Sequence, residues 1–144
     1  MNSEERRFRA LDALLDYSKG TLWWVTNRIW AQVIPEFVWK RGAKSHPGLS
    51  IVTEKAQGVH DVVPMLIGTS RRHGSRRTTL TVRHISPIDT AHYDFPTYFS
   101  PLRPCRVEFD EFGRAEGVTV NSPKPRLDSD EMRRLDEILS STGV

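Results

Sequence analysis

Short extended segments fill the middle of this chain, and helical patterns stand only near its two ends. The middle segments are apolar or alternate apolar with polar residues, and glycine or proline separates most of them. Runs of this kind are typical of short β-strands, whereas an amphipathic helix follows a period of about 3.6 residues. The order predicts a mainly β, α+β fold: about five to seven short strands in a small, strongly bent β-barrel, with an N-terminal and a C-terminal helix.

The strand prediction rests on alternation and on turn residues. The predicted strands are residues 21–26, 49–53, 62–67, 78–84 and 98–100, followed by a hairpin of 105–110 and 117–121. In the first strand Trp23 and Trp24 are neighbours, so their side chains point to opposite faces of the sheet. One is expected in the core, and the other, which we assign to Trp24, is expected to meet a loop, a subunit or a ligand. Residues 27–47 are predicted to be one long loop.

Amphipathic helices are predicted at both ends of the chain. The N-terminal helix covers residues 3–18, with Ser3 as its cap and Gly20 beyond its end. In the C-terminal helix Asp128 is the expected N-cap, and Glu131 three residues later completes a capping box. The apolar face of that helix consists of Met132, Leu135, Ile138 and Leu139. We therefore expect a single domain over 1–144, with 1–18 as a helical extension and 19–144 as the barrel with its C-terminal helix.

The overall composition indicates a globular, mildly basic protein. Charged residues make up 27% and hydrophobic residues 38% of the 144 positions, and the formal net charge is +3. Cys105 is the single cysteine, which excludes an internal disulfide and favours a reducing, cytoplasmic setting. No run approaches the roughly 18 apolar residues of a membrane span, and acidic residues interrupt the apolar N-terminal segment. Neither a membrane span nor an export signal is predicted.

A cluster of hydroxyl and basic side chains follows the third predicted strand. Residues 69–77 read TSRRHGSRR, and no acidic residue occurs from Val62 to Ile88. Arginine guanidinium groups bind phosphate oxygens through two parallel hydrogen bonds and keep their charge when partly buried. The segment is therefore a candidate phosphate-binding loop. The alternative is a solvated basic hairpin loop that aids solubility.

The residues available for catalysis suit phosphodiester chemistry. The five histidines are scattered, and the chain has no metal-ligand motif, Gly-rich phosphate loop or nucleophile elbow, so no metal and no cofactor is predicted. RNA cleavage through the 2′-hydroxyl needs a base, an acid and positive charge at the phosphate. The candidate catalytic residues are His46, just before the second strand, and Thr69 and Ser70, at the end of the third. The ends of adjacent antiparallel strands can bring these residues together.

Five segments in this order resemble the MazF/PemK-like toxin family. KGTLWWV at 19–25 is similar to the family's opening strand, HPGLSIV at 46–52 to its Arg-Pro strand, and VVPMLIGTS at 62–70 to its strand ending in a hydroxyl pair. PLRP at 101–104 is similar to a later Gln-Ile-Arg-Thr segment. Residues 126–143 are similar to the family's closing turn, helix and final glycine. The resemblance covers about residues 19–144.

The resemblance implies an SH3-like barrel that forms a homodimer, cleaves single-stranded RNA without a metal or other cofactor, and is neutralised by a cognate antitoxin peptide. It implies that Thr69 or Ser70 takes the position of the family's catalytic hydroxyl. It also implies that His46 stands where the family has its catalytic arginine. Histidine there can act as base or acid, whereas arginine is a fixed cation. The expected RNA-binding residues are Trp24, Arg71, Arg72, His73, Arg76, Arg77 and Arg103.

Two other functions remain open on the sequence. The first is a catalytically inactive SH3-like module that binds nucleic acid or a protein partner through the 71–77 loop, because the family's arginine is missing at His46. It predicts salt-sensitive binding without turnover. The second is a structural or regulatory protein whose terminal helices recruit partners.

Overall fold

Seven antiparallel strands form one sheet that carries helices on both faces. The computed structural model describes residues 2–5, 19–35, 45–51, 61–72, 75–83, 96–101, 103–110, 114–119 and 126–142. The elements in chain order are β1 (Leu22–Thr26), α1 (Asn27–Val33), β2 (Ser45–Ser50), β3 (Asp61–Thr69), a 3-10 turn (Arg76–Thr78), β4 (Leu80–Val82), β5 (Thr97–Phe99), β6 (Cys105–Phe109), β7 (Val118–Thr119) and α2 (Ser129–Thr142). The predicted mainly β, α+β class is confirmed.

The strand order is β4-β5-β3-β2-β1-β7, and β6 pairs with β3 on the same side as β5. Within the described residues β4 and β7 do not pair, so these strands are not closed into a barrel. The predicted hairpin of β6 and β7 is wrong. β6 follows β3 over five residue pairs from Asp61↔Phe109 to Met65↔Cys105, whereas β7 pairs with β1 at the opposite side of the sheet.

Part of the predicted 27–47 loop is regular structure. Its first seven residues form α1, and its last three belong to β2, which therefore begins before His46. The helix arises because the apolar residues Ile29, Trp30, Val33 and Ile34 recur at helical spacing. Trp30 and Ile34 are buried, which turns this short helix onto the sheet. Residues 36–44 lie outside the described part.

The sheet buries a separate apolar cluster on each face. The cluster beneath α1 contains Trp23, Val25, Trp30, Ile34, Val63, Met65, Ile67, Cys105, Val107 and Phe109. The cluster beneath α2 contains Leu22, Leu49, Leu66, Leu80, Val82, Phe99, Leu127, Leu135 and Ile138. Trp23 belongs to the first cluster and Trp24 packs against the second, so the prediction that they point to opposite faces is confirmed.

Strand β3 changes neighbours along its length. Residues 65–67 pair with β2, and Gly68 and Thr69 then pair with Phe99 and Tyr98 of β5. The change needs a glycine, because a Cβ at position 68 would lie 2.7 Å from the Phe99 ring. Strand β3 also runs two residues further than the sequence predicted and ends at Thr69. It therefore links the middle of the sheet to the β4–β5 edge.

The predicted capping box of α2 is confirmed. The Glu131 N–H donates to Asp128 Oδ1 at 2.8 Å, and the Asp128 N–H donates to Glu131 Oε1 at 3.0 Å. An ion pair between Lys19 and Asp136 joins the helix to the start of β1. Nearby, Gly20 has a φ of +92°, and its missing side chain leaves room for Met132. These contacts fix α2 over the sheet.

We expect Asp128→Ala to lower the free energy of unfolding by about 0.5–2 kcal/mol, because one N–H at the start of α2 loses its acceptor. Urea unfolding followed by circular dichroism measures the change. Asp130→Ala is the matched control in the same turn. Among the described residues Asp130 pairs with the exposed Arg133, so this substitution should cost less than about 1 kcal/mol. Equal effects of the two substitutions would contradict a capping role.

Of the predicted N-terminal helix over residues 3–18, residues 3–5 belong to the described part, and they are helical. The Glu5 N–H donates to Asn2 Oδ1 at 2.8 Å, so Asn2 rather than Ser3 caps this turn. Among the described residues, no helix combines the length and apolar character needed to cross a bilayer.

Candidate functional site

A row of polar side chains crosses one face of the sheet from β2 to β4. Val25 of β1 pairs with His46, Tyr98 of β5 pairs with both Thr69 and Thr81, and paired residues share a face. The β2–β3 pairing ends at Gly48↔Ile67, and His46 and Thr69 each lie two residues beyond it. The period of two puts both on the face that carries α1. We call His46, Thr69, Tyr98 and Thr81 the cross-strand row.

The His46 side chain is held by α1. Its Nδ1 lies 2.6 Å from Asn27 Oδ1. A carbonyl oxygen only accepts, so Nδ1 carries the proton in this bond and Nε2 of the neutral ring keeps its lone pair. The Trp30 indole N–H donates to the His46 backbone oxygen at 3.3 Å. The adjoining Pro47 has no N–H for a ladder, and the β2–β3 pairing stops at its neighbour, Gly48.

Burial lowers the pKa of His46 below the ordinary histidine value, because the charged imidazolium loses its hydration. The ring is therefore neutral near pH 7 and can take up a proton at Nε2. These properties are those of a general base. The sequence left both acid and base open, and the hydrogen bond to Asn27 together with the burial favours the base.

The two predicted hydroxyl residues differ in their surroundings. Thr69 is the last residue of β3, and its Oγ1 donates to the Arg71 backbone oxygen at 2.6 Å. This bond turns the chain from the strand into the basic loop. Ser70 is the first residue after the strand, and it is exposed. Thr69 therefore positions the loop, and Ser70 is the more accessible of the two hydroxyls.

A basic cavity of about 380 Å³ opens at the β4 side of the cross-strand row. Among the described residues its walls are Arg72, Arg76, Thr79, Thr81, Arg83, Tyr98 and Arg134. We call this the arginine pocket. Its floor comes from β4 and β5: Thr79, Thr81 and Arg83 alternate with the buried Leu80 and Val82, and so point away from the α2 cluster.

The four arginines of the pocket fall into two kinds. Arg134 is committed to the protein, because its guanidinium donates to the Arg76 and Arg77 backbone oxygens at 2.9 and 3.0 Å and pairs with Glu137 at 3.2 Å. Arg72, Arg76 and Arg83 are exposed, and no carboxylate among the described residues pairs with any of them. Three positive charges thus converge without a protein counter-ion in that part of the chain.

The structure brings together only some of the predicted binding residues. Arg72 and Arg76 line the pocket, whereas Arg71 and Arg77 are exposed and do not appear among its described walls. Arg103 lies in the bend between β5 and β6 and is not among those walls. Trp24 packs on the opposite face of the sheet. His73 lies outside the described residues.

Sequence reasoning missed several members of the site, which are Asn27, Thr79, Thr81, Arg83, Tyr98 and Arg134. Alternation in the segment from Thr79 to Arg83 contained the signal for Arg83, since it placed that residue on the face opposite Leu80 and Val82. No sequence signal identifies Arg134, because its role depends on how α2 lies over the 3-10 turn. Tyr98 could be assigned to the site only from the pairing of β5 with β3 and β4, which puts it beside Thr69 and Thr81.

Other reactive groups of the described part stay apart from this site. Cys105 is buried in the cluster beneath α1, and burial raises the pKa of its thiol. No three His, Cys, Asp or Glu side chains of the described residues are grouped as metal ligands would be.

No protein-family model matches the chain, and no curated protein matches it significantly. The resemblance to MazF/PemK-like toxins therefore stays a prediction from the sequence motifs.

Proposed function

We propose that the protein is a toxin-like endoribonuclease that cleaves single-stranded RNA without a metal ion. The observation that carries the proposal is the cross-strand row, which has a neutral histidine at one end and an arginine pocket at the other, on one face of one sheet. Cleavage of RNA through its 2′-hydroxyl uses a general base, and the positive charge of the pocket holds the RNA beside that base.

In the proposed reaction His46 Nε2 takes the proton of the 2′-hydroxyl. The 2′-oxygen then attacks the adjacent phosphorus, and the bond from phosphorus to the 5′-oxygen breaks. The 5′-oxygen takes up a proton from solvent, and His46 releases its proton to solvent, which restores the neutral ring. The products are a 2′,3′-cyclic phosphate and a 5′-hydroxyl. Asn27 keeps the lone pair of His46 on Nε2, because its Oδ1 accepts a hydrogen bond from the Nδ1–H group.

The arginine pocket anchors the RNA beside the bond that breaks. β2 and β5 are two strand spacings apart, which puts about 10 Å between their backbones. A phosphate in the pocket therefore belongs to a nucleotide next to the cleaved one. Ser70, the exposed first residue of the basic loop, contributes a hydroxyl to the RNA backbone between His46 and the arginine pocket.

The assembly that goes with this function follows from the sequence resemblance. We propose a homodimer that acts in the cytoplasm and is neutralised by a cognate antitoxin peptide, as in the MazF/PemK-like family. The open β4 and β7 edges of the described sheet are compatible with added strands, because their backbone groups lack a neighbouring strand there.

A second candidate function is RNA binding without cleavage. It is favoured by one contact. Thr69, to which the resemblance gives the position of the family's catalytic hydroxyl, donates its hydroxyl hydrogen bond to the Arg71 backbone oxygen. Such a module would use the same arginine pocket, and its affinity would fall steeply with salt.

Incubation with a random-sequence RNA pool in EDTA tests the proposal. We expect fragments that end in a 2′,3′-cyclic phosphate and begin with a 5′-hydroxyl. A DNA pool of matched length is the control, because DNA lacks the 2′-hydroxyl and must stay intact. Salt-sensitive binding of intact RNA over a wide range of protein concentrations would support the second candidate and overturn the first.

A further inference from the structure

We propose that the arginine pocket is a site for a terminal phosphate, so that it binds a nucleotide as a phosphomonoester rather than through an internal phosphodiester. The proposal begins from charge. Arg72, Arg76 and Arg83 line one cavity, and no described carboxylate pairs with them. A phosphodiester brings about one negative charge, whereas a phosphomonoester near pH 7 brings about 1.5 to 2 and three strong acceptor oxygens. The pocket matches the second ligand better.

The shape of the pocket agrees with a single bound nucleotide. The three arginines come from different parts of the chain: Arg72 from the segment that follows β3, Arg76 from the 3-10 turn and Arg83 from the residue after β4. They therefore approach one anion from several sides, as three acceptor oxygens require. A volume of about 380 Å³ lies within the range of about 300–1,000 Å³ that is typical of small-ligand sites.

Tyr98 and Thr81 supply contacts beyond the phosphate. The half-buried Tyr98 ring lies on the floor of the pocket, between its strand neighbours Thr69 and Thr81. A base can stack on such a ring. The Thr81 hydroxyl makes no hydrogen bond to another described residue and is available to a phosphate or sugar oxygen. Thr79 instead donates to the Ser75 backbone oxygen at 2.8 Å and supports the 3-10 turn.

Arg134 makes the pocket rigid. Its two hydrogen bonds to the Arg76 and Arg77 carbonyls tie the 3-10 turn to α2, and Glu137 holds the guanidinium from the other side. The Arg76 side chain is therefore presented from a fixed backbone. A site whose charges are held before the ligand arrives loses less entropy on binding.

The choice of a nucleotide over other phosphomonoesters rests on the proposed function, whereas the preference for a doubly charged phosphate does not. The ligand can be a free mononucleotide or the phosphorylated end of an RNA strand. Both present the same phosphate and base. The experiment includes both.

Calorimetric titration of the full chain at pH 7.5 and constant ionic strength tests the proposal. The probes are 5′-AMP, 3′-AMP, 3′,5′-cyclic AMP, adenosine and inorganic phosphate. We expect either noncyclic nucleotide to bind at least about tenfold more tightly than the cyclic diester, since one more charge-assisted hydrogen bond forms. Inorganic phosphate should bind about tenfold more weakly than the nucleotide because it cannot stack. A trinucleotide RNA with a terminal phosphate is compared with its hydroxyl-ended form to identify the strand-end ligand.

The variants separate the pocket from general basicity. Arg72→Gln and Arg83→Gln should each weaken binding of the best nucleotide about tenfold or more. Arg71→Gln and Arg77→Gln are the matched controls, because they remove the same charge from the same region but do not line the described pocket, and they should change binding less than about twofold. Tyr98→Phe should keep the affinity, and Tyr98→Leu should lose about tenfold.

Several outcomes overturn the proposal. These are equal affinity for AMP and cyclic AMP, equal losses in the pocket variants and in their controls, or an affinity for inorganic phosphate that matches the nucleotide. None of these readouts depends on RNA cleavage. The proposed function can therefore fail while the terminal-phosphate site stands, and the reverse also holds.

Discussion

Replacement of His46 by glutamine is expected to lower the rate of RNA cleavage by about 10²- to 10⁴-fold, the usual contribution of a general base. Glutamine keeps a polar side chain near Asn27 but cannot accept a proton at neutral pH. Binding of RNA should change little, because the arginine pocket is untouched. Single-turnover cleavage with excess protein measures the chemical step, and titration of a 2′-O-methyl RNA measures binding without turnover.

The rate of the proposed cleavage is expected to rise with pH. Burial lowers the pKa of His46, so cleavage should rise with pH through that lowered value and be level above about 6.5, the ordinary value. The same shift acts on stability. On acidification the unfolded chain binds the proton before the folded chain does, so the contribution of His46 to stability is fully present above about 6.5 and is lost as the pH falls through the folded-state pKa.

Asn27→Asp provides the matched control for the role of His46. A carboxylate 2.6 Å from Nδ1 would raise the pKa of the imidazole and move the rise in activity to higher pH. A purely structural role of Asn27 would change the rate without moving that rise. Full activity of His46→Gln, or an unmoved profile in Asn27→Asp, would contradict the assignment of the base.

The second large effect is expected in the core. Trp30→Ala should lower the free energy of unfolding by about 3–5 kcal/mol, because a fully buried indole leaves a cavity. The loss is large against a total stability of about 5–15 kcal/mol for an ordinary domain. The substitution also removes the indole N–H that donates a hydrogen bond to the His46 backbone oxygen. Urea unfolding at neutral pH measures the change.

Trp30→Phe separates the two contributions of this residue. It keeps most of the aromatic packing and removes the indole N–H, so the cost should be smaller than for alanine while cleavage still falls. Gln32→Ala is the control on the exposed side of the same helix and should stay within about 0.5 kcal/mol of the parent protein. A Trp30→Ala variant as stable as Gln32→Ala would show that α1 does not support the sheet.

The sequence predicted local structure better than it predicted strand neighbours. The period of two in LWWVT separated Trp23 from Trp24 correctly, and Asp128 with Glu131 identified the start of α2, because both signals lie within a few residues. The β6–β7 hairpin failed for the opposite reason. The hairpin prediction assumed that two strands close in sequence pair with each other, but β6 pairs with β3 over five residue pairs and β7 pairs with β1.

The candidate site divides in the same way. The basic run identified Arg72 and Arg76, since arginines in one loop are visible as a cluster. Arg134 is 57 residues from Arg77 in the chain and reaches the pocket because it lies on α2. Only the packing of α2 against the 3-10 turn shows this contact. Asn27 was likewise not predictable as the neighbour of His46, because its position depends on α1, where the sequence predicts a loop.

Strand β3 lies between His46 and the arginine pocket, so the backbone of the sheet sets the distance between them. Side-chain substitutions can alter what is held at either end, but the spacing stays fixed while the β3 register holds. If a strand end sits in the arginine pocket and the proposed cleavage takes place at His46, the protein would cut RNA at a fixed distance from that end. Its shortest product would have a constant length, counted in nucleotides from the phosphate and independent of the base sequence.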